Sequence, residues 1–412
     1  MARWLQSADG GPALAISKYY LPLGLEHYVR RGPPARQGAC RVRDLPRELP
    51  AEVDLRRIGE PRPIAAGICP VFFRGRRSEL ALSGVPSEGE YVARIHEGLV
   101  VGRHCTAVDP RGRMICESGF FASPEDLFAA DWPSGSSWRR RRRRREMSLL
   151  ARRRLPPVRR IDGSAVALNM RCSHNFFHWL IEILPRLTLL RRSGHGADCY
   201  LVDCLTTVQR ATLAALGVDM SRVVQPHCRL TLQPEALLLP SLPEAETIRQ
   251  TAVALAAGLG AATPLQGERQ LYISRRNART RRIRHEGELE AFLAARGFEI
   301  HCLEDYDLRT QVALAASART IVAVHGAGLA HLAFAPTGAK VVEIVPAGRY
   351  NAALYPQLSR RLGHDHRLVA AERGRFRRRL HVAIDDVHAA LDDLGRTEDE
   401  SRSAAEGARR AA

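Results

Sequence analysis

No stretch of about 18 uncharged apolar residues occurs in this chain, so no segment reads as a membrane-spanning helix. Its opening residues, MARWLQSADGG, lack the apolar h-region of a secretory signal. Together these absences lead to the expectation of a cytoplasmic protein. The nine cysteines, at 40, 69, 105, 116, 172, 199, 204, 228 and 302, form no C-x-x-C pair and are odd in number. Free, partly buried thiols are expected rather than a disulfide framework. No G-x-S-x-G nucleophile elbow occurs, which excludes an α/β-hydrolase reading. Aromatics make up only 6% of residues, and no aromatic RNA-binding signature accompanies the basic segments.

Arginine is present in excess. Lys and Arg number 62 against 44 Asp and Glu, a formal charge of +18, and Arg139 to Arg145 are consecutive. Such a run repels itself and reads as a solvated loop, either a basic insertion without a ligand or a contact for RNA, anionic lipid or an anionic polymer. Peripheral contact with an anionic membrane at its inner face is the partner expected for it, and nucleic acid is not. At 412 residues, 45% of them apolar, the chain exceeds a single core and reads as globular with two or more domains.

The pattern divides it further. Residues 1–85, rich in Pro, Gly and Arg, read as a loosely structured lead-in with one buried strand at GICPVFFRG. Residues 86–160 form a small β-rich region whose short β-prone runs are broken by Gly and by the turn DPRG. From 161 to 265, strand and helix signals alternate: SAVALNM, a helix from Asn175 to Arg192, CYLVD, a helix from Thr207 to Leu216. A linker near Thr263 precedes a second alternating half, 266–395, with strands at QLYISR, FEIHCL, TIVAV and KVVEIV. Residues 396–412 read as a disordered tail. Two halves of βαβ units predict an α/β fold of parallel sheets with a cleft between them.

The stretch TIVAVHGAGLAHLAFA places Gly326 and Gly328 at a strand-to-helix turn, the place where open α/β sheets bind ligands. Glycine lets an anion approach the unpaired N–H groups of a helix start, here at His325, Gly326, Ala327, Gly328 and Leu329; a plain turn is the competing reading, and an oxyanion loop falls with the missing nucleophile elbow. YISRRNARTRRIRHEGEL sets Arg275, Arg276, Arg279, Arg281 and Arg282 at another sheet edge. Guanidinium forks suit a diphosphate, and Arg275, directly after the strand, is the strongest candidate. Glu343 interrupts an apolar run, so it needs a ribose hydroxyl pair or an internal partner. His331, inside the expected helix, reads as structural.

In RCSHNFFHWLIEILPRL, His174, His178 and Glu182 are four apart and share one helical face. Acid/base chemistry by His178 or Glu182 competes with a metal site, for which no fourth ligand is evident, and with a plain amphipathic helix. Pro185 would kink or end the helix. The EDYD string at 304–307 reads as capping for a helix from Leu308.

In order and spacing, three segments resemble glycosyltransferase family 61: NFFHWLIEILPRL, with Asn175, His178 and Glu182 in an N-x-x-H-x-x-x-[DE] pattern; the Ser274-Arg275 segment; and the H-G-A-G-L loop with its Val-Glu-Ile strand. The resemblance runs from about Ala165 to Pro346 and looks like that of a bacterial member. It implies a GT-B-like fold, two Rossmann-like halves facing a cleft, and inverting transfer from a nucleotide sugar to a carbohydrate or glycoconjugate acceptor without an obligatory metal or other cofactor. It also implies a base from His178 or Glu182, a nucleoside diphosphate held by Arg275, Arg281, Arg282 and the loop, and ribose or base held by Glu343. One departure is His285-Glu286, where members commonly carry Asn-Glu.

Overall fold

The computed structural model describes residues 28–29, 39–84, 87–118, 155–170, 172–227, 230–261, 267–348, 352–374 and 379–396. The arginine run 139–145, the tail beyond Arg396 and residues 262–266 of the expected linker lie outside them. The described residues fall into two compact units, one drawn from Trp4–Pro61 and Glu88–Thr247, the other from Arg62–Ser87 and Ile248–Ala412. Each is a mixed α/β unit built on one parallel-rich sheet. The division falls after Thr247, inside the helix Ala245–Gly258, rather than at 265.

In the first unit the strand Val158–Ala167 is central. It pairs in parallel with Cys199–Leu201 on one side, Ala165 opposite Cys199, and with Thr231–Pro240 on the other, Ala165 opposite Leu237. The chain runs outward from it to Val223–Val224 and then returns to the far side, so the strand order reverses beside Val158–Ala167. Small and β-branched side chains make this possible: Ala165, Val166 and Ala167 are wholly buried, as a strand covered on both faces requires. The region expected as a separate β-rich piece instead extends this sheet. Tyr91–His96 lies antiparallel on Thr231–Pro240, and Ile95 joins Leu237 and Ala165 in one core.

In the second unit the parallel order is Glu299–His301, Arg269–Ile273, Ala318–Val324, Lys340–Pro346, Asp365–Arg373. Here the order reverses between Arg269–Ile273 and Ala318–Val324. Val322, Val342, Ile344 and Val369 form the core at their centre. The strand expected within the lead-in is Gly67–Phe73, and it does not stand in a loose segment. It forms a hairpin with Arg76–Leu82 and pairs in parallel with Asp365–Arg373, burying Cys69, Phe72 and Leu82.

The hairpin turn is fastened by Asp386, whose two carboxylate oxygens accept the N–H groups of Arg74 and Gly75, each at 2.8 Å. Both turn residues are left-handed, at φ 52° and 69°, and the buried carboxylate offsets that strain. Asp386→Ala strands two donors and is expected to destabilise this unit by about 1–3 kcal/mol, read as a lower urea midpoint.

Two helices differ from expectation. The helix expected from Asn175 to Arg192 comprises Phe176–His178, a π-turn Trp179–Ile183 and Pro185–Ser193. Pro185 is the cause: it donates no N–H and its ring crowds the carbonyl four residues back. An extra residue in the preceding turn, closed by Leu184 N–H to Trp179 O at 3.0 Å, accommodates it. After the glycine loop, Ala327–Ala333 is a 3-10 helix rather than an α-helix. Among the described residues no helix is long and apolar enough to cross a membrane, and the described cysteines are free.

Candidate active site

The chemistry-bearing residues gather at the carboxyl ends of the parallel strands, beside the two points where strand order reverses. Such a reversal leaves neighbouring loops pointing apart and opens a crevice.

In the first unit, Val158–Ala167 runs into Asn175, which caps the following helix by accepting Phe177 N–H at 2.9 Å. That cap starts the helix so that His178 and Glu182 lie one turn apart, and His178 Nδ1 is 2.7 Å from Glu182 Oε2. Both side chains are about one-fifth to one-quarter exposed, at 21% and 24%, so the pair meets solvent. A carboxylate only accepts, so Nδ1 carries the proton of the neutral ring and Nε2 carries the lone pair. One turn further on, Arg186 is buried. Burial lowers its pKa, and Glu182 is the strongest influence opposing that. Its Nη1 reaches only the Leu168 carbonyl at 3.4 Å, so a buried cation stands behind the pair. His174 is exposed and is not drawn into the pair.

In the second unit, Arg269–Ile273 leads into Arg275. Glu286 organises this turn: its Oε1 accepts from Tyr272 Oη at 2.7 Å, Ser274 Oγ at 2.9 Å and Arg275 N–H at 3.2 Å. The preceding His285 is left-handed, at φ 58°. Asn, Asp and His are among the few side chains that tolerate this region.

The Arg275 guanidinium lies over Gly326. A β-carbon at 326 would overlap Arg275 Nη1 and stand 3.1 Å from Cζ. Gly326 itself is extended, at φ 178°, so close approach rather than a special dihedral requires glycine there. At Gly328 a β-carbon would make only ordinary contacts, 3.5 Å to Leu303 Cδ1. Burial holds the Arg275 pKa below the usual arginine value. Among the described residues its Nε has no hydrogen-bond partner, it makes no ion pair, and Nη2 reaches only the Thr280 carbonyl at 3.3 Å. A desolvated guanidinium without an anion is costly, and an arriving phosphate would remove that cost.

Beneath the loop lies Glu343, fully buried. His325 Nδ1 donates to Oε1, and His366 Nε2, 3.1 Å away, bonds Oε2. The strand register brings this about: Val341 faces His366, and Glu343, two residues on, shares that face. The internal partners of Glu343 are thus two histidines, and its carboxylate supports the loop from below. His331 is buried, bonded to the Gly328 carbonyl at 2.9 Å and pushed down to about 4 by burial. Leu329 N–H closes the first 3-10 turn on Gly326 O at 3.0 Å, through Ala327 and Gly328.

The structure therefore brings Arg275, His325, Gly326 and Glu343 together, and pairs His178 with Glu182. Arg281 is half-buried at φ 61°, and Arg282 is exposed on a strand paired with Arg379–His381. The EDYD string caps, since Asp307 accepts Thr310 N–H at 2.8 Å. Missed by sequence reasoning were Glu286, Tyr355, Ser359 and His366. Glu286 was visible as a carboxylate in the first turn after an arginine-rich loop.

Residues 176–342 match the family described as Glycosyltransferase 61. The similarity to glycosyltransferase 61 is confined to that region. The match begins one residue after the capping Asn175 and ends one before Glu343, less than half of the whole chain. No curated protein matches the chain. A glycosyltransferase needs a donor and an acceptor site.

Proposed function

We propose that this chain is an inverting glycosyltransferase of GT-B arrangement that moves a sugar from a nucleotide sugar to an acceptor hydroxyl. The observation that carries the proposal is Arg275: a half-buried guanidinium that makes no ion pair among the described residues, lying on a glycine at the strand-order reversal of the second unit. Arg275 and the N–H groups of the Gly326 loop hold the departing nucleoside diphosphate and stabilise the charge that develops on it. His178, on the other unit, is the base. Its Nε2 takes the acceptor hydroxyl proton as that oxygen bonds to the anomeric carbon and the bond to the diphosphate oxygen breaks. Glu182 orients the ring and stabilises the imidazolium so formed. Displacement from the face opposite the leaving group inverts the anomeric centre. An acceptor in surface polysaccharide or glycoconjugate synthesis, reached from the cytoplasmic side, belongs to the same proposal.

The test is a thermal-shift screen of the full chain against UDP, GDP, CMP, dTDP and their sugars at millimolar concentration. At least one nucleotide is expected to raise Tm by about 2 °C or more. The absence of a shift with every one of them overturns the proposal.

A further inference from the structure

The helix Leu354–Arg361 lies outside the glycosyltransferase 61 match, yet it reaches the glycine loop by two routes. Directly, Tyr355 Oη donates to the Gly326 carbonyl at 2.5 Å, while its ring meets His325 edge-on with centroids 5.1 Å apart. Indirectly, Ser359, one turn later, is 2.8 Å from His366 Nδ1, and His366 leads through Glu343 to His325. Every side chain in this series is buried, with Ser359 and Glu343 wholly so. Ser359, His366 and Glu343 form a Ser-His-Glu sequence of bonds, but a fully buried hydroxyl meets no substrate, so the series is not a nucleophilic triad. Burial pushes His366 down to about 3, so the ring is neutral. Its single N–H goes to the Glu343 carboxylate, and Nδ1 accepts the Ser359 hydroxyl proton.

What the two routes hold is a peptide orientation. The Gly326 carbonyl receives both Tyr355 Oη and Leu329 N–H, which fills its two lone pairs. In a trans peptide the N–H points opposite to the carbonyl of the same unit. Fixing the Gly326 oxygen on the Tyr355 side therefore directs the Ala327 N–H the other way. The His325 ring, held by Glu343 and flanked by Tyr355, fixes the residue before it.

We propose that Tyr355 and Ser359 are positioning residues for the donor diphosphate: the helix Leu354–Arg361 sets the Gly326–Ala327 peptide so that its N–H meets the anion held by Arg275. This rests on the reading of Arg275 and the loop as the diphosphate site.

The test measures binding of UDP, GDP and pyrophosphate by calorimetry to the full chain and to Y355F, S359A, H366L, H366Q and R275M, alongside the melting temperature without ligand. Y355F is expected to weaken binding of whichever probe the wild type takes by about tenfold, and S359A by about threefold, with ligand-free Tm held within about 3 °C. H366Q, whose amide can still donate to Glu343, is expected to bind more tightly than H366L. Wild-type affinity in Y355F and S359A, with binding lost in R275M, overturns the inference and leaves the diphosphate site standing. No binding of any probe by the wild type overturns the site and the inference together. Should Y355F fail to fold, the H366L and H366Q pair decides: equal affinities overturn the inference.

Discussion

Gly326→Ala is expected to lower nucleotide affinity by about 100-fold while leaving the fold intact. The added methyl would overlap the Arg275 Nη1 atom and crowd Cζ. What it meets is the far end of a flexible side chain, not backbone, so the protein relieves the clash by moving the guanidinium. The backbone at 326 is extended and accepts alanine without strain. Stability is therefore spared, and the anion site loses its charged arm. Gly328→Ala is the control. There the methyl makes ordinary contacts with Leu303 and Ile273, and near-wild-type affinity is expected. Calorimetry with UDP and GDP decides between them: equal affinities in the two variants would show that Arg275 is not held by the bare face of Gly326.

The same residue shows what a sequence carries and what it hides. That a glycine sat at a strand end, in a βαβ rhythm, was legible, because β-branched runs such as TIVAV and helix stops such as Gly297 act locally. Gly297 is indeed left-handed, at φ 81°. The neighbour that makes Gly326 necessary was not legible as such. Arg275 was visible as a candidate anion binder, but its contact with Gly326 depends on two strands being adjacent. Glu343 was readable as a buried carboxylate in need of a partner. Its partners, His325 and His366, follow only from strand register, since a shift of one residue in Asp365–Arg373 would turn His366 to the opposite face. The hairpin Gly67–Leu82 was hidden for a related reason. Its strand partner lies at Asp365–Arg373, where Cys69 and His366 are 297 residues apart in the chain, and Pro, Gly and Arg in the flanking residues obscure a seven-residue apolar run. The π-turn at Trp179–Ile183 was half legible: Pro185 announced a disturbance, but whether a helix kinks, ends or absorbs an extra residue depends on what it packs against.

His178→Ala is expected to lower the rate of sugar transfer by about 10²–10⁴-fold, the range for removing a general base, with nucleotide affinity unchanged because the proposed diphosphate site at Arg275 belongs to the other unit. Glu182→Gln is expected to cost less, about 10–100-fold, since glutamine can still accept from Nδ1 but no longer stabilises the imidazolium. The order of the two effects carries the assignment. His178 bonds Glu182 through Nδ1, which leaves Nε2 as the nitrogen with the lone pair. If Glu182→Gln is the more damaging change, the proton goes to the carboxylate instead, and His178 is its orienting partner. Single-turnover transfer from the nucleotide sugar returned by the thermal screen separates the cases, because product release does not enter the measurement. Unchanged transfer in both variants would remove the pair from the reaction altogether. The buried Arg186 behind Glu182 would then be a structural cation whose Nη1 bonds the Leu168 carbonyl just past Val158–Ala167.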